Sequence, residues 1–155
     1  MSTEQIWRTV STSSDDTLQL AEAAGHKLRG GEVIELVSDL GGGKTTFVRG
    51  LAQGAGSHDQ VRSPSFTLSN QYRTDSLVLY HFDFYRLAEP GIMRDELAEL
   101  LSDQKTVVIV EWGGIVEDVL PGERLTITLR ATGETSRELI FKYPEKLKYL
   151  RPDNT

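Results

Sequence analysis

From Glu32 to Gly56 the chain reads EVIELVSDLGGGKTTFVRGLAQGAG: a short apolar run, three consecutive glycines, and a segment with helical spacing. A strand that turns directly into a helix is half of a crossover connection, which points to a layered α/β arrangement. The pattern Gly-x-x-x-x-Gly-Lys-[Ser/Thr] of a phosphate-binding loop is met except at its first glycine, where Ser38 stands. Gly-Lys-[Ser/Thr] by itself would arise by accident in about 8% of chains this long at average residue usage. Its setting between a buried strand and a helix that starts at Lys44 is what raises it above coincidence.

Each residue type has a chemical reason to be there. Backbone N–H groups from about Leu40 to Thr45 can wrap a phosphate only where side chains do not intrude, which suits Gly41, Gly42 and Gly43. The free amides and positive dipole end of the following helix favour an anion. Lys44 is placed to reach β- and γ-phosphates, the Thr45 hydroxyl to ligate Mg²⁺, and the Thr46 hydroxyl to meet the α-phosphate. Glycine at the position of Ser38 would permit a positive φ or close packing. Serine is small, so a negative φ with its hydroxyl facing the loop or a neighbouring strand is expected.

Elsewhere, SSDDTLQLAEAAGHKLRGG predicts a helix with Ser14 as N-cap, acids in the first turn, apolar residues at Leu18, Ala21, Ala24 and Leu28, and basic residues before Gly30. SPSFTLSNQYRTDSLVLYHFDFYRL predicts an antiparallel hairpin turning at RTDS. MRDELAELLSD reads as a helix, TVVIVE as a strand buried on both faces, and GGIVEDVLP as a short helical or loop segment stopped by Pro121. RLTITLRATGETSRELIFKY closes the chain as a second hairpin. The expectation is an α/β, P-loop NTPase-like three-layer fold with a mixed central sheet and a C-terminal hairpin, formed as one domain over residues 1–155.

Composition narrows the classes of function. A formal charge of −6 argues against autonomous nucleic-acid binding, so any RNA connection is expected through a partner. From about residue 142 the chain is locally basic, with Lys142, Lys146, Lys148 and Arg151 against Glu145 and Asp153, and is read as a solvated helix end. With no cysteine and three scattered histidines there is neither a disulfide framework nor a Cys-based zinc site. The longest aliphatic run, Val107 to Val110, is far short of the roughly 20 residues of a membrane helix. The N-terminus has no signal-peptide layout, and a soluble, cytoplasmic protein is expected.

A phosphate loop needs a carboxylate at the end of a neighbouring strand to hold Mg²⁺ directly or through water. Asp83 ends LVLYHFD and Glu111 ends TVVIVE, and either can fill that role. Both lie beside aromatics, where a charge needs a partner. His81 reads as a core histidine or one supporting the site. Between the loop helix and Asp83, Ser63, Ser65 and Thr67 flank Pro64, where a nucleotide-sensing segment or a plain strand entry would fit equally.

In order along the chain, the Thr of SDDTLQLA, then DLGGGKTTFVRGL, SPSFTL, YHFDFYRL, VEWG and the LP before the last hairpin resemble the TsaE (YjeE) family, small bacterial ATPases of tRNA threonylcarbamoyladenosine modification. The resemblance implies ATP held by Asp39 to Thr46, Mg²⁺ by Thr45 with Glu111, Asp83 as a further acid near the γ-phosphate, and Trp112 beside the nucleotide. It places Ser14, Thr17 and Arg137 of the GETSR turn near the adenine. The implied partners are TsaB and TsaD, with tRNA met only through that complex and TsaC supplying threonylcarbamoyl adenylate. The chain departs from the family at Ser38, in the helix IMRDELAELL, which lacks the family's glycine, and at Gly113, where proline or serine is usual.

The expected function is an ATPase with Lys44, Asp83 and Glu111 at its centre, whose turnover drives or resets a partner enzyme. Basal turnover should be slow, because an arginine finger can supply roughly 10³- to 10⁵-fold in rate and only Arg86 offers an internal substitute. A small-molecule kinase is the alternative, disfavoured by the little chain left for a substrate lid. A GTP switch lacks its Asn-Lys-x-Asp string, and a non-catalytic scaffold is the remaining class.

Overall fold

The computed structural model describes residues 4–38, 43–61, 69–84 and 91–153, with the side chains of 91–93, 113 and 115 left out. Seven strands form one mixed sheet: β1 (Glu4–Ser11), β2 (Val33–Val37), β3 (Ser69–Arg73), β4 (Val78–Asp83), β5 (Thr106–Glu111), β6 (Leu125–Ala131) and β7 (Arg137–Pro144). Their spatial order is β1-β7-β6-β2-β5-β4-β3. The inner four, β6, β2, β5 and β4, are parallel, and antiparallel partners finish both edges.

Helices α1 (Ser14–Gly25) and α2 (Lys44–Gly54) cover one face, and α3 (Gly91–Leu101) with the 3-10 turn Gly113–Val116 covers the other. Beside the central strand β2, β5 is buried at every position. Val107 and Ile109 point into the core beneath α1 and α2, while Val108 and Val110 point into the core beneath α3. A strand buried on both faces needs a continuous apolar run, and VVIV is that run. By contrast β6 and β7 bury only alternate residues, Leu125, Ile127 and Leu129 facing Leu139, Phe141 and Tyr143 across the C-terminal hairpin.

The helix pair α1 and α2 is packed through glycines. A Cβ on Gly25 would lie 2.2 Å from the Leu51 carbonyl oxygen, one on Gly54 2.1 Å from that of Glu22, and one on Gly50 2.4 Å from the Ala21 Cβ. The helices therefore touch backbone to backbone. This fixes the N-terminus of α2, where the glycine loop ends, relative to the start of α1.

The structure corrects or extends several expectations. Ser13, not Ser14, is the N-cap of α1: its hydroxyl accepts from Asp16 N–H, while the Asp16 carboxylate accepts from Thr12 N–H at 3.0 Å, a reciprocal box that sets the helix start. The helix stops at Gly25, and Leu28 packs beyond it against the core. The N-terminal strand β1 adds an edge beyond the expected elements; its Trp7 packs edge-on against Phe141, which in turn meets Phe47 of α2.

The basic C-terminal segment is docked rather than a free solvated end. Leu147 and Leu150 are buried, Arg151 lies over the Trp7 ring, and Lys27 Nζ donates to the Arg151 carbonyl at 2.6 Å. Lys142, Lys146, Lys148 and Arg151 pair with Glu4, Glu123, Glu145 and Asp153. Among the described residues no helix is long and apolar enough to cross a membrane.

Replacing Gly50 by alanine forces α1 and α2 apart. Overpacking of about 1–3 kcal/mol is offset only in part by the ~1 kcal/mol that alanine gains in helix propensity, leaving an expected net loss of up to about 2 kcal/mol. Urea denaturation of Gly50→Ala against wild type measures it.

Candidate functional site

Helix α2 buries Lys44, Phe47, Val48, Leu51 and Ala52, a stripe at helical spacing. Lys44 heads that stripe. Side chains of a helix lean toward its N-terminus, so a lysine on the core-facing side of the first turn is carried over the ends of the parallel strands. There its Nζ lies 3.3 Å from Glu111 Oε1, and only 9% of the residue is exposed.

The acids come from adjacent parallel strands in register, Asp83 of β4 opposite Glu111 of β5. Two positions earlier His81 pairs with Ile109, which puts His81, Asp83 and Glu111 on the α2 side of the sheet. His81 is fully buried, and its Nε2 meets Glu111 Oε2 in a short contact. Burial by itself would push the Glu111 carboxyl up. The hydrogen bond and charge of His81, with Lys44 beside it, outweigh burial and hold it below the ordinary glutamate value.

Trp112 follows directly in the left-handed region at φ 58°, the one non-glycine residue with positive φ among those described. Such a conformation costs roughly 1–3 kcal/mol and tends to occur at functional sites. It leaves the indole 41% exposed with the Lys44 ammonium 5.0 Å from its ring centroid. Ser38 has no positive φ, as expected; Gly43, the N-cap of α2, does, at 98°.

Two clefts flank the start of α2. One, of about 210 Å³, is lined by Leu36, Val37, Ser38, Lys44, Trp112 and Gly114, with Glu35 at its wall. The other, about 80 Å³, is lined by Ser14, Thr17, Gly43, Thr46, Glu134, Thr135 and Arg137. It brings together the residues expected from α1, the loop helix and the last hairpin. The Thr17 hydroxyl is engaged by that of Ser11 at 2.7 Å, so Thr17 also holds the β1–α1 turn. Arg137 donates to the carbonyls of Ser136 and Gly133, and its Nε sits 3.9 Å from where a Gly43 Cβ would be.

Thr45 and Thr46 occupy the first turn of α2, half-buried. Asp39, Leu40, Gly41 and Gly42, the segment with Ser63, Pro64, Ser65 and Thr67, and Arg86 lie outside the described residues. Sequence reasoning missed Glu35 and Val37 as walls of the larger cleft. Their only signal was alternation in β2, which leaves every second residue off the α1–α2 face.

A larger cleft, about 440 Å³, lies at the other end of the parallel strands, among Gly31, Glu32, Gln104, Glu123, Lys146 and Tyr149. Ligands of open α/β sheets bind at the carboxyl ends of the strands, where the Lys44–Glu111 pair lies. Chemistry rather than volume therefore selects the site. At the opposite end Glu32 is already satisfied, accepting from Arg29 N–H, Gly30 N–H and the Tyr149 hydroxyl.

The depressed Glu111 carboxyl gives the folded state a pH-dependent contribution. It is complete above the ordinary glutamate pKa of about 4.3 and is lost as pH falls through the lower folded-state value. Glu111→Gln leaves Lys44 buried without its anion and is expected to be less stable than wild type near neutrality. That gap should narrow as pH falls below about 4.3, as read from urea midpoints across the acid range.

A family model described as "Threonylcarbamoyl adenosine biosynthesis protein TsaE" matches residues 11–139. The tRNA threonylcarbamoyladenosine biosynthesis protein TsaE of Bacillus subtilis (strain 168) is 39% identical over 139 residues, spanning 87% of this chain and 83% of its own. That of Treponema pallidum (strain Nichols) is 39% identical over 132 residues, spanning 85% and 97%. The crystal structure of Bacillus subtilis YdiB superposes with a TM-score of 0.72 at 34% identity, covering 99% of each chain. The chain belongs to the TsaE family, of tRNA threonylcarbamoyladenosine biosynthesis.

Proposed function

We propose that the chain binds ATP with Mg²⁺ at the start of α2 and hydrolyses it slowly, and that this cycle drives or resets TsaB and TsaD during threonylcarbamoyladenosine modification of tRNA. One observation carries the reading: Lys44 is directed from the first turn of α2 onto Glu111 at a strand end, with Asp83 in register beside it. A lysine at the head of a glycine loop, facing an acid on the neighbouring strand, is the donor set that phosphate and its metal require. The two charges satisfy each other in the structure. Nucleotide would take the Lys44 ammonium for its phosphates and free Glu111 for the metal or its water.

The residues present suit Mg²⁺. Among the described residues no group of three or more His, Asp and Glu is arranged to hold a metal. Nucleotide-bound Mg²⁺ needs only one or two protein oxygens, with phosphates and water completing its shell. The Thr45 hydroxyl and the Glu111 carboxylate are hard oxygen donors of that kind, with Asp83 as the further acid near the γ-phosphate. When bound, the metal would neutralise charge on the phosphate oxygens. The chain's own part is to orient the phosphates with Lys44, Thr46 and the loop amides of Asp39 to Gly43. Ser14, Thr17 and Arg137 would form the base end of the pocket, and Trp112 would lie alongside. TsaB and TsaD are the proposed partners, and tRNA is met only through them.

Lys44→Ala removes a charged donor to phosphate and should weaken ATP binding by about 10- to 100-fold, read by calorimetry. TsaB and TsaD should be retained on immobilised wild-type protein in a nucleotide-dependent way, with retention reduced for Lys44→Ala and Glu111→Ala, and should raise ATP turnover above its slow basal level. Equal turnover with and without them would refute the coupled role. Phosphorylated product from a metabolite screen would instead favour a small-molecule kinase.

A further inference from the structure

We propose that His81 is a positioning residue for Glu111: by donating Nε2–H to Oε2 it keeps Oε1 turned toward Lys44, and so sets how strongly nucleotide binding depends on Mg²⁺. The proposal rests on the nucleotide reading above and deepens it.

Strand register makes the pair. His81 stands opposite Ile109, and Glu111 is the next residue of β5 on the same face, so the two side chains are diagonal neighbours across the β4–β5 ladder. The imidazole is fully buried beneath α2, and its Nδ1 has no hydrogen-bond partner among the described residues. A polar ring atom buried without a partner is costly, about 1–3 kcal/mol, and a phenylalanine at the same place would carry no such cost. The ring's polar engagement is thus the Nε2 contact with Glu111.

The division of labour on the carboxylate follows. Oε2 is occupied from within the core by His81, while Oε1 faces Lys44 at 3.3 Å, at the start of α2. Held at one oxygen, the carboxylate cannot turn both toward Lys44. It offers one oriented oxygen when the ammonium moves to phosphate. Groups that hold a metal's carboxylate ligand in this way typically change metal affinity by about 10- to 100-fold when removed.

The test titrates Mg²⁺, and separately EDTA, against binding of a fluorescent ATP analogue, for wild type, His81→Gln, His81→Asn, Glu111→Gln and the double variant His81→Asn/Glu111→Gln. Thermal melts confirm that each folds. The glutamine amide reaches the place of Nε2, whereas the asparagine amide matches Nδ1 and stops short. His81→Asn should raise the half-saturating Mg²⁺ by about 10- to 100-fold and leave affinity in EDTA unchanged. His81→Gln should restore the wild-type value, and His81→Asn should add no further loss once Glu111 is glutamine. Should His81→Asn not fold, His81→Phe, close in volume, replaces it with the same expectation. Wild-type Mg²⁺ dependence in His81→Asn, no rescue by His81→Gln, or an additive loss in the double variant would overturn the positioning role while the nucleotide reading stands. A wild-type protein that does not bind the analogue at all would remove that reading and this one together.

Discussion

An ammonium and a carboxylate held 3.3 Å apart where little water reaches them set the terms for everything around them. Removing either partner leaves an uncompensated buried charge, which costs several kcal/mol in typical proteins. The surroundings therefore have to bring the two groups together accurately, and the fold does so with its most rigid parts. Glu111 ends the strand that is buried at every position, and Lys44 heads the buried stripe of the helix packed over it. Neither depends on a long loop for its position. One contact thus both pairs two buried charges and sets the lysine and the acid side by side at the strand ends.

The rest of the molecule supports that contact in layers. The inner parallel strands end together, which puts Asp83 beside Glu111 and places the start of α2 over both. The antiparallel β6–β7 hairpin then carries Arg137 to the other side of the α2 start, opposite Trp112. Edge strand β1 contributes no candidate site residue. Its Trp7 supports Phe141, which supports Phe47 on the buried face of α2. A chain of aromatic contacts thus runs from the sheet edge to the helix that bears Lys44.

The parts of this arrangement legible in the sequence are those where one physical demand dominates. VVIV reads as a strand covered on both sides and is one, and the helix expected after the glycines begins at Lys44. The strand-ending acids followed from these, as did the two hairpins. What escaped was set by pairings distant along the chain. In β1 the inward positions include Gln5 and Thr9 while Ile6 and Val10 face outward, so alternation gives no clear face; the strand exists because β7 lies beside it. The C-terminal lysines look like a solvated run because their acids, Glu4 and Glu123, are far away in sequence. The N-cap was misplaced by one residue because SerSer offers two equivalent hydroxyls, and only the Thr12–Asp16 contact chooses between them. His81 was recognisable as a buried or supporting histidine, but that its partner is Glu111 depends on the β4–β5 register.

The glycine seam between α1 and α2 bears on the shape of the smaller cleft. With Gly25, Gly50 and Gly54 in backbone contact, the two helices have no compressible side-chain layer between them. The wall carrying Ser14 and Thr17 and the turn carrying Lys44 and Thr46 therefore behave as one jaw of fixed shape. Ser14 and Thr17 on one helix and Thr46 on the other thus meet across the smaller cleft at a separation set by backbone contact, not by side chains that could repack.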